Sequence, residues 1–152
     1  MVAAKGMQPI PILILYAPEK PAMKKHAESL RKAFDRRVFR VFARSAAVSH
    51  LPDIAAVKAV ILGCREENDA PVHADFTEFV RAFAGVNLAG RCAAFFGEKG
   101  SQTADRFAAS LEDSDISLFG EPLVLQENGF DAQKLKRWAG QFSAFMRKHL
   151  YD

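Results

Sequence analysis

The residues with the most to say about chemistry are Ala17-Pro18-Glu19-Lys20-Pro21, which join an apolar run, Ile10 to Tyr16, to an amphipathic stretch, Ala22 to Phe34. A buried strand followed by a helix leaves such a turn at the helix N-terminus, where free backbone N–H groups and the positive end of the helix dipole favour an anion. A phosphate cradle there also needs glycines, hydroxyls and an unbroken series of N–H donors. This turn has none of those side chains. Pro18 and Pro21 each remove a donor, and Glu19 brings negative charge to where the anion would rest. Lys20 adds one flexible ammonium, which cannot replace several oriented donors when each buried oxygen left unpaired costs roughly 1–3 kcal/mol.

Two thiols come next. Cys64 closes the apolar run Val57 to Cys64 and is followed by Arg65-Glu66-Glu67-Asn68-Asp69, then by His73 and Asp75. A nucleophilic or redox-sensing thiol is the sharp reading of Cys64, and a buried structural thiol is the one taken, because free cysteine is among the most buried residue types. His73 and Asp75 near Cys64 form no i, i+4 pair or fixed-spacing motif, so no metal is assigned. Cys92 starts its own strand, which would leave the two sulfurs on the order of 15 Å apart at about 3.3 Å per residue and excludes a disulfide.

The elements that must position these groups alternate. Strand-like runs fall at Ile10 to Tyr16, Val38 to Ala43, Val57 to Cys64, Cys92 to Phe96 and Leu123 to Leu125. Helical periodicity falls at Ala22 to Phe34, from Asp75 through Phe76, Phe79, Val80 and Phe83, at Ala104, Phe107, Ala108 and Leu111, and after Asp131. Arg44 to Ala56, with Pro52 inside it, reads as a loop or one short helix. Asp131 is the expected cap of the last helix, with Phe130 and Leu135 as a hydrophobic staple. Strands that are continuous apolar runs, separated by helices with one apolar stripe, make a parallel sheet covered on both faces. The expected fold is therefore a three-layer α/β/α sandwich on a five-stranded parallel sheet in the order 2-1-3-4-5. Ligands of such sheets bind beyond the strand C-termini, at Ala17 to Pro21, Arg65 to Ala74 and Gly97 to Gln102.

Composition fits one globular domain: 152 residues, 49% hydrophobic and 26% charged. Residues 1–9 read as an N-terminal extension and 10–152 as the domain. No run spans a membrane and no secretory signal is apparent, so the expected location is cytoplasmic. The net charge of +3 hides a segregation: residues 1–50 hold ten Lys/Arg against three Asp/Glu, residues 51–129 six against thirteen, and residues 130–152 five against two. Lys24, Lys25, Arg31, Lys32, Arg36 and Arg37 give the first helix and its exit a basic face suited to an acidic protein partner. Nucleic acid is not indicated, since interleaved aromatics and any nucleic-acid motif are missing.

From about Ile12 to Met146 the chain resembles the short-chain flavodoxins. The resemblance is carried by Ile14-Leu15-Tyr16, by Ala59-Val60-Ile61-Leu62-Gly63-Cys64, by Asn87-Leu88-Ala89-Gly90-Arg91 with Cys92-Ala93-Ala94-Phe95-Phe96-Gly97, and by Glu121-Pro122-Leu123-Val124-Leu125-Gln126-Glu127. It implies FMN bound non-covalently and electron transfer between redox proteins. The family's first loop is a hydroxyl-rich run that wraps the FMN phosphate. Pro18 stands for its first hydroxyl residue, Lys20 for the next, Pro21 for its glycine and Met23 for its last threonine, with Glu19 and Ala22 between them. Where the family presents apolar or aromatic residues to the flavin, this chain has Cys64-Arg65-Glu66-Glu67-Asn68 and Gly97-Glu98-Lys99-Gly100.

The reading drawn from these departures is a flavodoxin-like interaction module, without enzymatic activity, that does not bind FMN in the usual way and for which no cofactor is favoured. The alternative is a divergent flavodoxin with FMN-dependent electron transfer. A phosphotransfer receiver domain shares the strand order but needs an acceptor Asp where Cys64 stands. Catalysis by Glu66, Glu67 or Cys64 has no assembled acid/base or nucleophile pattern.

Overall fold

The computed structural model describes residues 8–151. The expected extension, residues 1–9, therefore lies almost wholly outside the described residues. Six strands, β1 (Ile10–Ala17), β2 (Phe39–Ser45), β3 (Ala59–Cys64), β4 (Cys92–Glu98), β5 (Ser117–Leu118) and β6 (Leu123–Leu125), form one parallel sheet in the order β2-β1-β3-β4-β5. The anticipated fifth strand, Leu123 to Leu125, is β6, and the two-residue β5 precedes it. Ser117 pairs with Cys92 near the start of β4 and Leu123 with Phe96 near its end, so β5 and β6 are two pieces of one interrupted edge strand. Glu121 and Pro122 lie in the interruption, where the Glu121 carbonyl accepts the Trp138 indole N–H at 2.7 Å.

Helices α1 (Pro21–Lys32) and α5 (Ala132–Tyr151) cover one face of the sheet, and α2 (Leu51–Ala55), α3 (Thr77–Phe83) and α4 (Thr103–Ser110) the other. The period of two along each strand divides the core accordingly. Ile10, Ile12 and Ile14 meet Met23, Ala27 and Leu30 of α1 and Leu135, Trp138 and Phe142 of α5. Leu13, Leu15 and Ala17 meet Ile54, Phe79 and Phe107. The helices drawn from the two basic blocks thus share one face, and those of the acidic block lie opposite. Pro52 does not break the short helix expected around it, because it occupies the first turn of α2, where a missing N–H leaves no bond unmade. Asp131 caps α5 as the sequence suggests, its carboxylate accepting the Lys134 N–H at 3.0 Å.

Cys64 packs on the α3/α4 face and Cys92 on the α1/α5 face, so the sheet itself separates the two free thiols. Burial pushes each up to about 11. Gly63, beside Cys64, has no room for a side chain: a Cβ there would lie 2.2–2.3 Å from the Phe96 ring. That contact seats the Phe96 ring against the neighbouring strand, directly under the C-terminal end of the sheet.

No described helix is long and apolar enough to cross a membrane.

Candidate functional site

The three loops named above meet at the C-terminal edge of β1, β3 and β4. In the first, the Ala17–Pro18 peptide is cis, and the Lys20 N–H turns back to the Pro18 carbonyl at 3.0 Å. Pro21 begins α1, with Lys20 as its uncapped N-terminal flank and no acidic residue in the first turn. Pro18 is half-buried, while Glu19, Lys20, Pro21 and Ala22 are exposed. Met23 is buried in the core, so its side chain packs beneath the loop and only its backbone faces the helix end. Among the described residues the Ala22 and Met23 amides have no hydrogen-bond partner. The deletion of donors by proline is real but partial, because the two residues following Pro21 keep theirs.

The second loop is a miniature hairpin. Glu67 and Ala70 exchange backbone hydrogen bonds across a two-residue turn, and its central residues Asn68 and Asp69 have φ of 55° and 62°. A positive φ at both central positions is what a tight hairpin of this length demands, and Asn and Asp tolerate it better than other side chains. Behind it the chain returns toward Cys64: the Pro71 carbonyl accepts the Thr103 hydroxyl at 2.6 Å and lies 3.6 Å from the Cys64 sulfur, which in turn takes the His73 N–H at 3.5 Å. Burial is the main reason the Cys64 thiol is held protonated, against the contrary pull of the His73 and Thr103 hydrogen bonds. His73 is itself buried; its Nδ1 accepts the Asp75 N–H at 3.0 Å and its Nε2 lies 3.3 Å from a Glu67 carboxylate oxygen. Among the described residues no group of three or more His, Cys, Asp or Glu is placed to hold a metal ion.

Arg65 ties the loops together. Its backbone N–H donates to Ala17, its Nη1 lies 3.3 Å from a Glu98 carboxylate oxygen, and its Nη2 donates to the carbonyls of Gln126 and Glu127 at 2.8 and 2.9 Å. The other Glu98 oxygen accepts the Glu66 N–H at 2.9 Å. One guanidinium and one carboxylate therefore join the second loop, the third loop and the turn after β6. In the third loop Gly97 is buried, Lys99 and Gly100 are exposed, and Ser101 folds back onto the Glu98 carbonyl.

Sequence reasoning placed Arg65 and Glu98 in the crevice as charges facing an absent ligand, whereas the structure turns them on each other. It missed Gln126 and Glu127, whose part is played by carbonyls that carry no side-chain signature. His26, on α1, is a further group that the sequence reading left without a role. His26 edges onto Phe130 at 6.4 Å between ring centroids, and its imidazole is held below its ordinary value by burial first and by the nearby Arg65 and Lys25 charges after it.

Of the basic-face residues, Arg31 is engaged by Glu28 at 2.8 Å and Arg37 by Asp35 at 3.2 Å. Lys24, Lys25, Lys32 and Arg36 are exposed and in no ion pair among the described residues.

A doubly wound parallel sheet in the order 2-1-3-4-5, with two helices on one face, three on the other and a loop crevice at the strand C-termini, is a flavodoxin-like fold. No protein-family model matches the chain, and no curated protein matches its sequence. Solved structures do match its fold. Oxidised flavodoxin 2 from Bacillus cereus superposes with a TM-score of 0.75 at 21% identity, covering 89% of this chain and 99% of the flavodoxin. A Fusobacterium nucleatum flavodoxin bound to flavin mononucleotide gives 0.67 at 11% identity, covering 89% and 98%. Rubredoxin oxygen:oxidoreductase from Desulfovibrio gigas gives 0.77 at 17% identity, covering 95% of this chain but 38% of that one. These likenesses overturn the expectation that no cofactor is favoured. Flavodoxins are among the solved chains that share this fold along almost their whole length, and the Fusobacterium nucleatum flavodoxin is bound to flavin mononucleotide, so the cofactor these likenesses point to is FMN. The hydroxyls are missing from the first loop, but the Ala22 and Met23 amides remain at its helix end.

Proposed function

We propose that this protein is a divergent flavodoxin that binds FMN non-covalently at the C-terminal edge of its sheet and passes electrons between redox proteins. The observation that carries the reading is the extent of the likeness: 89% of this chain laid over 99% of a flavodoxin. The phosphate end fits an anion. The Ala22 and Met23 amides point from the start of a 12-residue helix with no acid in its first turn, and Lys20 stands beside them. Lys20, Ala22 and Met23 would hold the phosphate. FMN, once bound, supplies the one- and two-electron chemistry that no side chain of this crevice supplies.

The remaining residues decide how that site opens and what approaches it. Residues 65–70 and 97–102 contain no aromatic side chain, and the Arg65–Glu98 pair lies between these loops. Separation of that pair makes room between the second and third loops, while the Phe96 and Gly63 floor stays fixed. Lys24 and Lys25, in the first turns of α1, steer an acidic redox partner toward the same edge, an attraction that salt screens over about 8–10 Å, whereas Lys32 and Arg36 lie at the far end of that helix.

The test is titration of the purified protein into FMN, followed by flavin fluorescence and visible absorbance. Saturable quenching with a Kd in the micromolar range or tighter, and a flavin spectrum shifted from that of free FMN, is the expected result. Undiminished FMN fluorescence at 100 µM protein would refute it.

A further inference from the structure

A cavity lies away from the crevice loops, beside the 71–73 segment. It is an open groove of about 580 Å³ between α3 and α4, lined by Pro71, Val72, Val80 and Ala109, with Arg81 and Arg106 among its polar residues. That volume is in the range of ligand-sized clefts. Its polarity runs against the segment that builds it. Residues 51–129 carry thirteen acidic and six basic side chains, yet no acidic residue lines this groove and two of the six basic ones do.

Of the other four cations of the segment, two are held by the chain itself and two, Lys58 and Lys99, do not line the groove. Arg65 bonds Glu98 and two carbonyls, and Arg91 bonds the carbonyls of Val57, Ala55 and Ala89. Arg81 and Arg106 are exposed and form no ion pair among the described residues; Arg106 reaches only the Gln102 side-chain oxygen, at 3.3 Å. His73 cannot serve as a third charged anchor, because both its nitrogens face partners within the chain.

We infer that this groove is a binding site for a small amphipathic anion, an apolar body ending in a carboxylate. The body lies along Val72, Val80 and Ala109, and the head meets the two guanidiniums, whose planar forks suit a carboxylate. Burial of the apolar body and the charge-assisted contacts act together, so neither an alcohol of the same length nor a short carboxylate binds comparably.

The probe is sodium octanoate, titrated into the full-length ¹⁵N-labelled protein and followed by amide chemical shifts. Saturable shifts centred on Val72, Val80, Arg81, Arg106 and Ala109, with octanol at least tenfold weaker and acetate not saturating, are the expected result. The Arg81→Gln/Arg106→Gln variant should lose the preference for octanoate over octanol while keeping the native spectrum elsewhere, since both side chains are exposed. Ala109→Phe should lower affinity for both probes by filling the groove. Shifts scattered over the surface, no saturation by 10 mM, or equal binding of octanoate and octanol would overturn the assignment. So would concentration-dependent shifts of the same amides without ligand, which would mean that a second copy of the chain occupies the groove. An acidic amphipathic peptide that displaces octanoate at a tenth of its concentration would overturn it in favour of a protein partner.

Discussion

At one end of the crevice, Ala22 and Met23 hold out amides that no group among the described residues takes up, with Lys20 beside them; at the other, Arg65 and Glu98 spend their polar atoms on each other and on neighbouring backbone. The first end is organised for an anion by a helix that exists for other reasons, namely the burial of Met23, Ala27 and Leu30. The second is held by side chains whose contacts, under the proposed reading, part to admit a flat ring between the loops. A site can thus lose most of the residue types associated with it and keep the half that depends on backbone, because helix N-termini recruit anions through amides and dipole whatever the side chains are. Rigid floor and adjustable rim are the terms in which the difference can be tested.

The floor should be the least forgiving. Gly63→Ala places a methyl group into the Phe96 ring, and since that ring is fully buried it has nowhere to move. A loss of about 1–3 kcal/mol is expected for such overpacking, read as a fall in Tm of several degrees. Should the variant melt within a degree of the parent, Phe96 is mobile and the floor is no more rigid than the rim. Next in size comes Lys20→Glu, which puts a negative charge at the open helix end. It should weaken FMN by about tenfold, equivalent to about 1.4 kcal/mol, with Tm unchanged. An unaltered Kd would place the phosphate elsewhere than the start of α1.

What could be read in the sequence divides along the same line. The apolar runs of β1, β3 and β4 and the stripes of α1 and α5 are periodic over enough residues to declare themselves, and the separation of Cys64 and Cys92 along neighbouring strands was legible too, whereas their packing on opposite faces of the sheet was not. The two-residue hairpin at Asn68-Asp69 was written in the chain as an Asn-Asp pair between Glu67 and Ala70, but without the surrounding alternation of strands it reads as ordinary loop. The split of the last strand into β5 and β6 was not legible: Gly120 to Pro122 leave the ladder after a last bond from the Phe119 N–H to the Ala93 carbonyl, and Trp138 on α5 bonds the Glu121 carbonyl in the gap, a pairing between residues 17 apart. Least legible was Arg65. Its partners lie 33, 61 and 62 residues away and two of them are carbonyls, so neither local spacing nor side-chain type announces the contact.

The rim predicts a smaller and more selective response. Glu98→Gln removes a charge from a pair whose side chains are 24% and 37% exposed, so the stability change should stay within about 1 kcal/mol. The neutral amide still accepts from Glu66, which keeps the third loop in place. If the pair restrains the ring end, this variant should bind FMN several-fold more tightly, opposite in sign to Lys20→Glu. Equal weakening in both variants would mean that the two ends are not distinct.

The smallest effect is on pH dependence, and it reports on the rim through His26. Burial first, and then the Arg65 and Lys25 charges, lower its pKa from 6.5, so the folded protein resists taking up a proton that the unfolded chain accepts. Unfolded molecules then bind more protons than folded ones in the window below 6.5, and stability falls as pH drops through the depressed value, being fully present above 6.5. Direct NMR titration of the His26 ring should give a midpoint below 6.5, and Arg65→Met should move it upward. His26→Gln should flatten the decline in Tm between pH 7 and 5 relative to the parent. Because the Arg65 contribution acts through space, it diminishes when the guanidinium moves away; a His26 midpoint that rises in Glu98→Gln as well would show that loosening the pair carries Arg65 out of the crevice. A midpoint that stays put would show Arg65 still anchored by the Gln126 and Glu127 carbonyls, and would make those two bonds, rather than the ion pair, the restraint on the ring end.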